Sequence, residues 1–167
     1  MILYHGSTEI VEKPRIIISD KFLDFGYGFY STTSKEQALR WAKIKKNRTN
    51  SENSYLNVYE IDDIVWSNNS LSILSFDNPS RDWLEFVINN RRGRTVQDYD
   101  IVCGPVANDT LYRTIGLYES GIFTLEETIK RLKVNELFDQ ISFHSKIALE
   151  NLKFQGKEFI SDYTITN

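Results

Sequence analysis

The sequence predicts an α+β fold with mainly antiparallel sheet, and three observations carry that reading. Short runs rich in β-branched and aromatic residues are scattered between a few longer helical patterns. They do not alternate one strand to one helix, the order that would build a parallel sheet. No internal repeat or long linker divides the 167 residues, so residues 1–167 read as a single domain. With 41% hydrophobic and 26% charged side chains, the chain has the balance of an ordinary globular domain. A domain of this size buries roughly 68–70% of its unfolded surface, so folding requires neither a disulfide nor a metal.

In chain order, Ile2–His5, Ile16–Ser19 and Gly28–Thr32 are the first strands. A helix follows over about 34–48, where Ser34 and Gln37 stand at capping-box spacing. Ala38, Trp41 and Ala42 share one face of it, and Lys43, Lys45, Lys46 and Arg48 surround the rest. The polar stretch 47–54 is a surface loop. Strands at Leu56–Ile61 and Leu71–Phe76 come next, then a loop at 77–80 and a helix over about 80–91. That helix brings Trp83, Phe86, Val87 and Asn90 to one face by their i, i+3, i+4, i+7 spacing. Asp100–Cys103 is a further strand, and Asn108-Asp109-Thr110 is a helix cap ahead of Leu111. Thr124 and Glu127 repeat the capping box for a helix over about 124–133. Strands at Gln140–Phe143 and Phe159–Tyr163 close the order.

The formal net charge of −3 excludes a basic field over the whole chain that would draw nucleic acid non-specifically. Cys103 is the single cysteine, so no internal disulfide exists and a reducing compartment is expected. Lying in an apolar run, it reads as a small buried hydrophobe. The two histidines, His5 and His144, have no metal-type spacing, so no metal is expected. His144 reads as a strand-end ring bonded to backbone. The start lacks the basic and apolar regions of a signal peptide, and no apolar run approaches 18 residues. A cytoplasmic protein without a membrane partner is the expectation.

Two segments invite a functional reading, each beside a plainer one. From Asp24 to Thr33, Gly26 and Gly28 stand at the mouth of a strand, where a missing Cβ lets backbone approach a ligand or another strand. The plain reading is a turn before a strand, with Tyr30 in the core. In Leu3-Tyr4-His5-Gly6-Ser7, a histidine closes a strand and a glycine follows, presenting a ring nitrogen and an accessible amide. The plain reading is a histidine bonded at the sheet end.

Taken together, His5-Gly6-Ser7 and Phe25-Gly26-Tyr27-Gly28-Phe29-Tyr30-Ser31 resemble the His-Tyr-Glu class of ADP-ribosyltransferases, the diphtheria-toxin and poly(ADP-ribose)-polymerase-like superfamily. The nearer resemblance is to a bacterial family of small, uncharacterised ADP-ribosyltransferase-like proteins. It continues through Asn57-Val-Tyr-Glu60, Trp83-Leu-Glu-Phe86, Tyr99-Asp-Ile-Val-Cys-Gly-Pro105 and Asp139-Gln-Ile-Ser-Phe-His144. The resemblance implies two packed, mainly antiparallel sheets that form an NAD cleft with a few flanking helices. It implies that His5 bonds a ribose hydroxyl of NAD, that Gly6 holds the nicotinamide amide through its backbone, and that Tyr30 lies against the nicotinamide ring. Trp41, 11 residues beyond Tyr30, falls where polymerase-like relatives carry a second aromatic. Ser7, Phe25, Gly26, Gly28 and Ser31 complete the implied NAD-binding set. The relatives' serine near the helix falls on Ala38, which removes one polar contact.

The third catalytic position departs from the family pattern, because Gln140 stands where the relatives carry glutamate. Asp139 is its neighbour, but successive strand residues face opposite sides, so only one of the two can enter the cleft; Gln140 is the one expected there. The implied reaction leaves an oxocarbenium-like ribose, and glutamine keeps hydrogen bonding to it while supplying no charge. Three activities follow from the resemblance: transfer of one ADP-ribose unit to a macromolecular acceptor, hydrolysis of NAD, or nucleotide binding without turnover. Transfer is favoured. Protein and nucleic-acid acceptors both stay open. The cations of the 34–48 helix and of Arg91-Arg92-Gly93-Arg94 are read as solvated surface or as contacts to a nucleic-acid backbone or to the NAD pyrophosphate. Because such relatives are often toxins, an antitoxin or immunity protein is an implied partner.

Overall fold

A computed structural model of the chain describes residues 1–18, 23–67, 70–94, 98–106, 109–132 and 138–161. Seven strands form two sheets. The first holds β1 (Ile2–Ser7), β3 (Tyr55–Glu60) and β7 (Lys153–Phe159) in the order β1-β3-β7, all antiparallel. The second has the order β2-β6-β5-β4, built from β2 (Phe29–Ser31), β6 (Asp139–Phe143), β5 (Ile101–Pro105) and β4 (Ile73–Ser75). Its β4–β5 pair is parallel, which requires a crossover. Helix α2 (Arg81–Arg91) supplies it, so one strand-helix-strand unit sits inside an otherwise antiparallel α+β fold.

Strand alternation explains the layers. Leu3, Phe29, Tyr59, Ile101, Ile141 and Phe143 meet in one buried cluster between the sheets. Val102, pointing the opposite way from Ile101, joins Trp83, Leu84, Val87 and Ile88 of α2 together with Ile115 of α3 (Asp109–Glu119) and Leu132 of α4 (Leu125–Leu132). On the other side, α1 (Lys35–Thr49) packs Ala38 and Ala42 against Leu56. Gly6 makes that contact possible: a Cβ there would lie 2.0 Å from the Ala38 carbonyl oxygen.

The helix caps follow the sequence pattern with one change. Thr124 and Glu127 form the full reciprocal box, with amide-to-side-chain bonds of 2.9 and 3.2 Å. At α1 the Ser34 hydroxyl accepts from the Gln37 amide, but the Gln37 side chain turns away, its Oε1 lying 3.1 Å from the Thr32 hydroxyl. The face of α2 predicted from spacing is inward, with Trp83, Val87 and Asn90 buried.

Several strand boundaries need correction. Of Ile16–Ser19, the structure retains one bridge, Ile17 to Gly28, and Ser19 lies outside the described residues. The last strand is Lys153–Phe159 rather than Phe159–Tyr163, whose final two residues also lie outside the described part. β7 is an edge strand with mostly polar, solvent-facing side chains, so burial leaves little pattern in its sequence. Asn108 of the expected cap is outside the described residues. A short 3-10 turn (Asp63–Trp66) and the four-residue α5 (Lys146–Leu149) were not anticipated.

Candidate functional site

The two sheets touch where Tyr4 and Thr32 exchange both backbone hydrogen bonds, at 2.8 and 3.0 Å. Antiparallel alternation brings Gly6 and Tyr30 to the next such position. The Tyr30 carbonyl instead accepts from the His5 ring at 2.6 Å. Beyond that point β1 and β2 part, and Gly6 turns its N–H and C=O toward the gap. The gap is a cleft of about 310 Å3 whose lining includes His5, Gly6, Tyr30, Trp41 and Gln140. That volume is at the lower end for small-molecule sites, roughly 300–1,000 Å3.

Because a carbonyl only accepts, His5 carries its proton on Nδ1 and leaves Nε2 bare as an acceptor. Burial pushes its pKa down to about 4, the Tyr30 bond opposes the shift, and Lys45 adds to it. The ring is therefore neutral at physiological pH. It also lies 4.6 Å from the Phe29 ring, centroid to centroid.

Tyr30 is half-buried, with its hydroxyl donating to the Gly26 carbonyl at 2.5 Å and accepting from the Phe25 amide at 3.2 Å. These bonds tie the tip of the ring to the preceding turn, where Gly26 has φ 85°, a value that favours glycine. Gly28 is required for a different reason, since a Cβ there would approach the Phe143 carbonyl oxygen to 2.8 Å. Trp41 is 37% exposed on the cleft side of α1, with the Arg48 guanidinium 6.0 Å from its ring centre. Trp41, expected inward with Ala38 and Ala42, is thus turned out to the cleft, and the buried residues of the helix are Gln37, Ala38 and Ala42.

Gln140 lies two residues from Ser142, the partner of Tyr30, so its side chain and Tyr30 occupy the same face. Its Nε2 is buried without a hydrogen-bond partner among the described residues. Asp139 is committed elsewhere: its carboxylate accepts from Thr32 Oγ1 at 2.9 Å, Thr33 Oγ1 at 2.8 Å and the Thr33 amide.

The remaining expected residues are dispersed. Ser31 lines the cleft, and its hydroxyl donates to the Ile141 carbonyl at 3.3 Å. Phe25 is fully buried against α2. Gly26 acts through the carbonyl that holds Tyr30. Ser7 is buried, its hydroxyl accepting from Lys45 at 3.3 Å. His144 bonds backbone as expected, with Nδ1 donating to the Tyr27 carbonyl at 2.7 Å. Burial pushes the Cys103 thiol up to about 12, so it is no nucleophile at neutral pH.

Four further residues support the site, of which Lys45 and Arg48 belong to the cations already noted on the 34–48 helix. Asp24 lines the cleft and pairs with Arg91 at 2.8 Å, its side chain 3% exposed. Lys45 and Arg48, one helical turn apart on α1, add two cations to the lining. Asn57, fully buried, bonds the Val11 amide and the Glu9 carbonyl and so pins the segment after β1. Of the Arg91–Arg94 cluster, Arg91 and Arg92 are ion-paired with Asp24 and Glu119.

A family described as a protein of unknown function, DUF3990, matches residues 1–154, including every residue of the cleft. The chain belongs to the DUF3990 family. No curated protein matches it. The DUF3990 match ends two residues into β7, so it takes in the other six strands and the cleft. Among the described residues, no group of three or more His, Cys, Asp and Glu side chains could hold a metal ion. No described helix is long and apolar enough to cross a membrane.

Proposed function

We propose that this DUF3990 chain is a mono-ADP-ribosyltransferase that cleaves NAD at the nicotinamide–ribose bond and passes ADP-ribose to a macromolecular acceptor. The observation that carries the reading is the convergence of His5, Gly6, Tyr30, Trp41 and Gln140 on one cleft, from three distant parts of the sequence. On this reading the cleft is the NAD site of an ADP-ribosyltransferase-like fold. The nicotinamide packs between aromatic side chains, a contact worth on the order of 0.5–1.5 kcal/mol per pair beyond burial. Its amide bonds the open backbone edge of Gly6. The bare Nε2 of His5 accepts from a ribose hydroxyl, and the unpartnered Gln140 amide bonds the same sugar.

Nicotinamide departs as a neutral molecule from a cationic one, so no general acid is needed. The remaining difficulty is the cation developing on ribose. Gln140 meets it with a dipole rather than a charge, and loss of one such preorganised group costs roughly 10²–10³ in rate. A slow transferase is therefore expected, acting in the cytoplasm without a metal and held in check by an antitoxin or immunity protein. Gln140 together with the committed Asp139 also favours a second reading, an NAD hydrolase or non-catalytic NAD binder.

The deciding experiment incubates the pure protein with adenylate-labelled NAD, with and without a bacterial lysate, and follows free nicotinamide and attached label. Label on macromolecules that is lost in Tyr30→Ala and Gln140→Ala supports transfer. Nicotinamide release without attached label in either incubation supports hydrolysis. Saturable binding with neither product supports the binder.

A further inference from the structure

A second, more open cavity of about 660 Å3 adjoins the cleft, and Gln140 lines both. The two differ in charge. The cleft has Lys45 and Arg48 in its wall, and its carboxylate Asp24 is paired with Arg91. The second cavity has the carboxylates Asp139 and Asp77 and the aromatic rings of Trp66, Phe76 and Phe138; no lysine or arginine is among its described lining residues, and the α-ammonium of Met1, which also lines it, is paired with Asp63 at 3.1 Å. The hydrogen bonds that Asp139 accepts come from hydroxyls and an amide, which leave its negative charge uncompensated. That charge reaches into the cavity, where it helps to raise the pKa of Cys103. At the edge, Phe138 already carries a guanidinium: Arg40 Cζ lies 5.5 Å from its ring centre.

We infer that this cavity receives a guanidinium group as the ADP-ribose acceptor, the side chain of an arginine in a protein. The inference rests on the NAD reading of the neighbouring cleft. Carboxylates pair with guanidinium, and aromatic faces stack on its plane. A cationic acceptor and an anionic dinucleotide would then meet across Gln140 from oppositely charged sides. In the transfer, a guanidinium nitrogen forms the new bond to ribose C1′ while the C1′–nicotinamide bond breaks. Nicotinamide takes that electron pair and leaves neutral. The attacking nitrogen gives up one proton, which passes to water. The products are ADP-ribosyl-arginine, nicotinamide and a proton.

The test offers labelled NAD with three acceptors: an arginine-containing peptide, its arginine-to-lysine counterpart, and agmatine as a free guanidine. Nicotinamide release and the modified residue are read by mass spectrometry. The expected result is label on the arginine peptide, at least tenfold above the lysine peptide. Asp139→Asn and Asp77→Asn should each lower transfer to the arginine peptide severalfold. Asp77 is exposed, so its variant keeps the test open if Asp139→Asn fails to fold. Agmatine labelled as well as or better than the peptide would give the same guanidinium chemistry a small-molecule source and overturn the protein assignment. Nicotinamide release with no guanidine labelled, or with label on carboxylates, hydroxyls or nucleic acid, would overturn the inference and leave the NAD reading standing. Absence of any nicotinamide release would overturn the inference, and absence of saturable NAD binding as well would remove the NAD reading.

Discussion

His5 shows how one residue serves both folding and chemistry. Its half-buried neutral ring has a pKa pushed down to about 4, below the ordinary value of about 6.5 for an unfolded chain. Between those values the unfolded state binds the proton and the folded state does not, so stability is full above about pH 6.5 and declines as pH falls toward 4. The decline is on the order of 3 kcal/mol at most. Urea unfolding at pH 7 and pH 4.5 should show it, and His5→Asn should reduce it, leaving the same-sign contributions of His144, whose pKa is lowered by burial, and of Glu127, whose pKa is lowered by its bonds from Thr124. Gln140 permits a sharper test. If its neutrality limits the rate, Gln140→Glu should raise nicotinamide release by up to about 10²–10³, with an unchanged rate as the contrary result.

At the level of elements, the cleft depends on how closely α1 approaches β1 and on what anchors the turn before β2. Gly6→Ala would drive a methyl group into the Ala38 carbonyl, so α1 must move; a loss of about 1–3 kcal/mol is expected in thermal or urea unfolding. The Asp24–Arg91 pair fastens the turn to α2. Removing Arg91 leaves a buried carboxylate without its cation, a change that costs about 3–5 kcal/mol. Arg91→Met should therefore unfold at markedly lower urea concentration, while a paired Asp24→Asn, Arg91→Met variant should recover much of the difference.

For the whole molecule, ligand binding and stability are linked through the gap between the sheets. A ligand held by both β1 and β2 binds only the folded state, adding about 2.7 kcal/mol at 100 times its Kd. For a domain of this size each kcal/mol shifts Tm by roughly 2–4 °C. NAD at that excess should then raise Tm by several degrees, and Tyr30→Ala, which loses the ring and the anchor of the turn, should show no such rise. No rise in the wild-type protein at millimolar NAD would count against the cleft as its site.

Much of this architecture was legible in the sequence because it rests on local rules. Ser34 and Thr124 mark helix starts since a hydroxyl there satisfies an amide the helix cannot. The Trp83, Val87 and Asn90 spacing reports which side of α2 is buried. The pairing of His5-Gly6 with Tyr30 and Gln140 was legible only as a resemblance, because nothing local connects residues 5, 30 and 140. Other features had no local sign at all. β7 is held by its pairing with β3 rather than by apolar pattern, and the β4–β5 pair is parallel because α2 carries the chain across. Asp24 becomes part of the cleft only when Arg91, 67 residues away, pairs with it. The sequence by itself determined α1, α2 and α4, the α+β class and the residues available for chemistry. Tertiary structure decided where the strands part, which carboxylates are spent, and which side chains share a cavity, because those outcomes depend on long-range pairing and burial that local sequence does not encode.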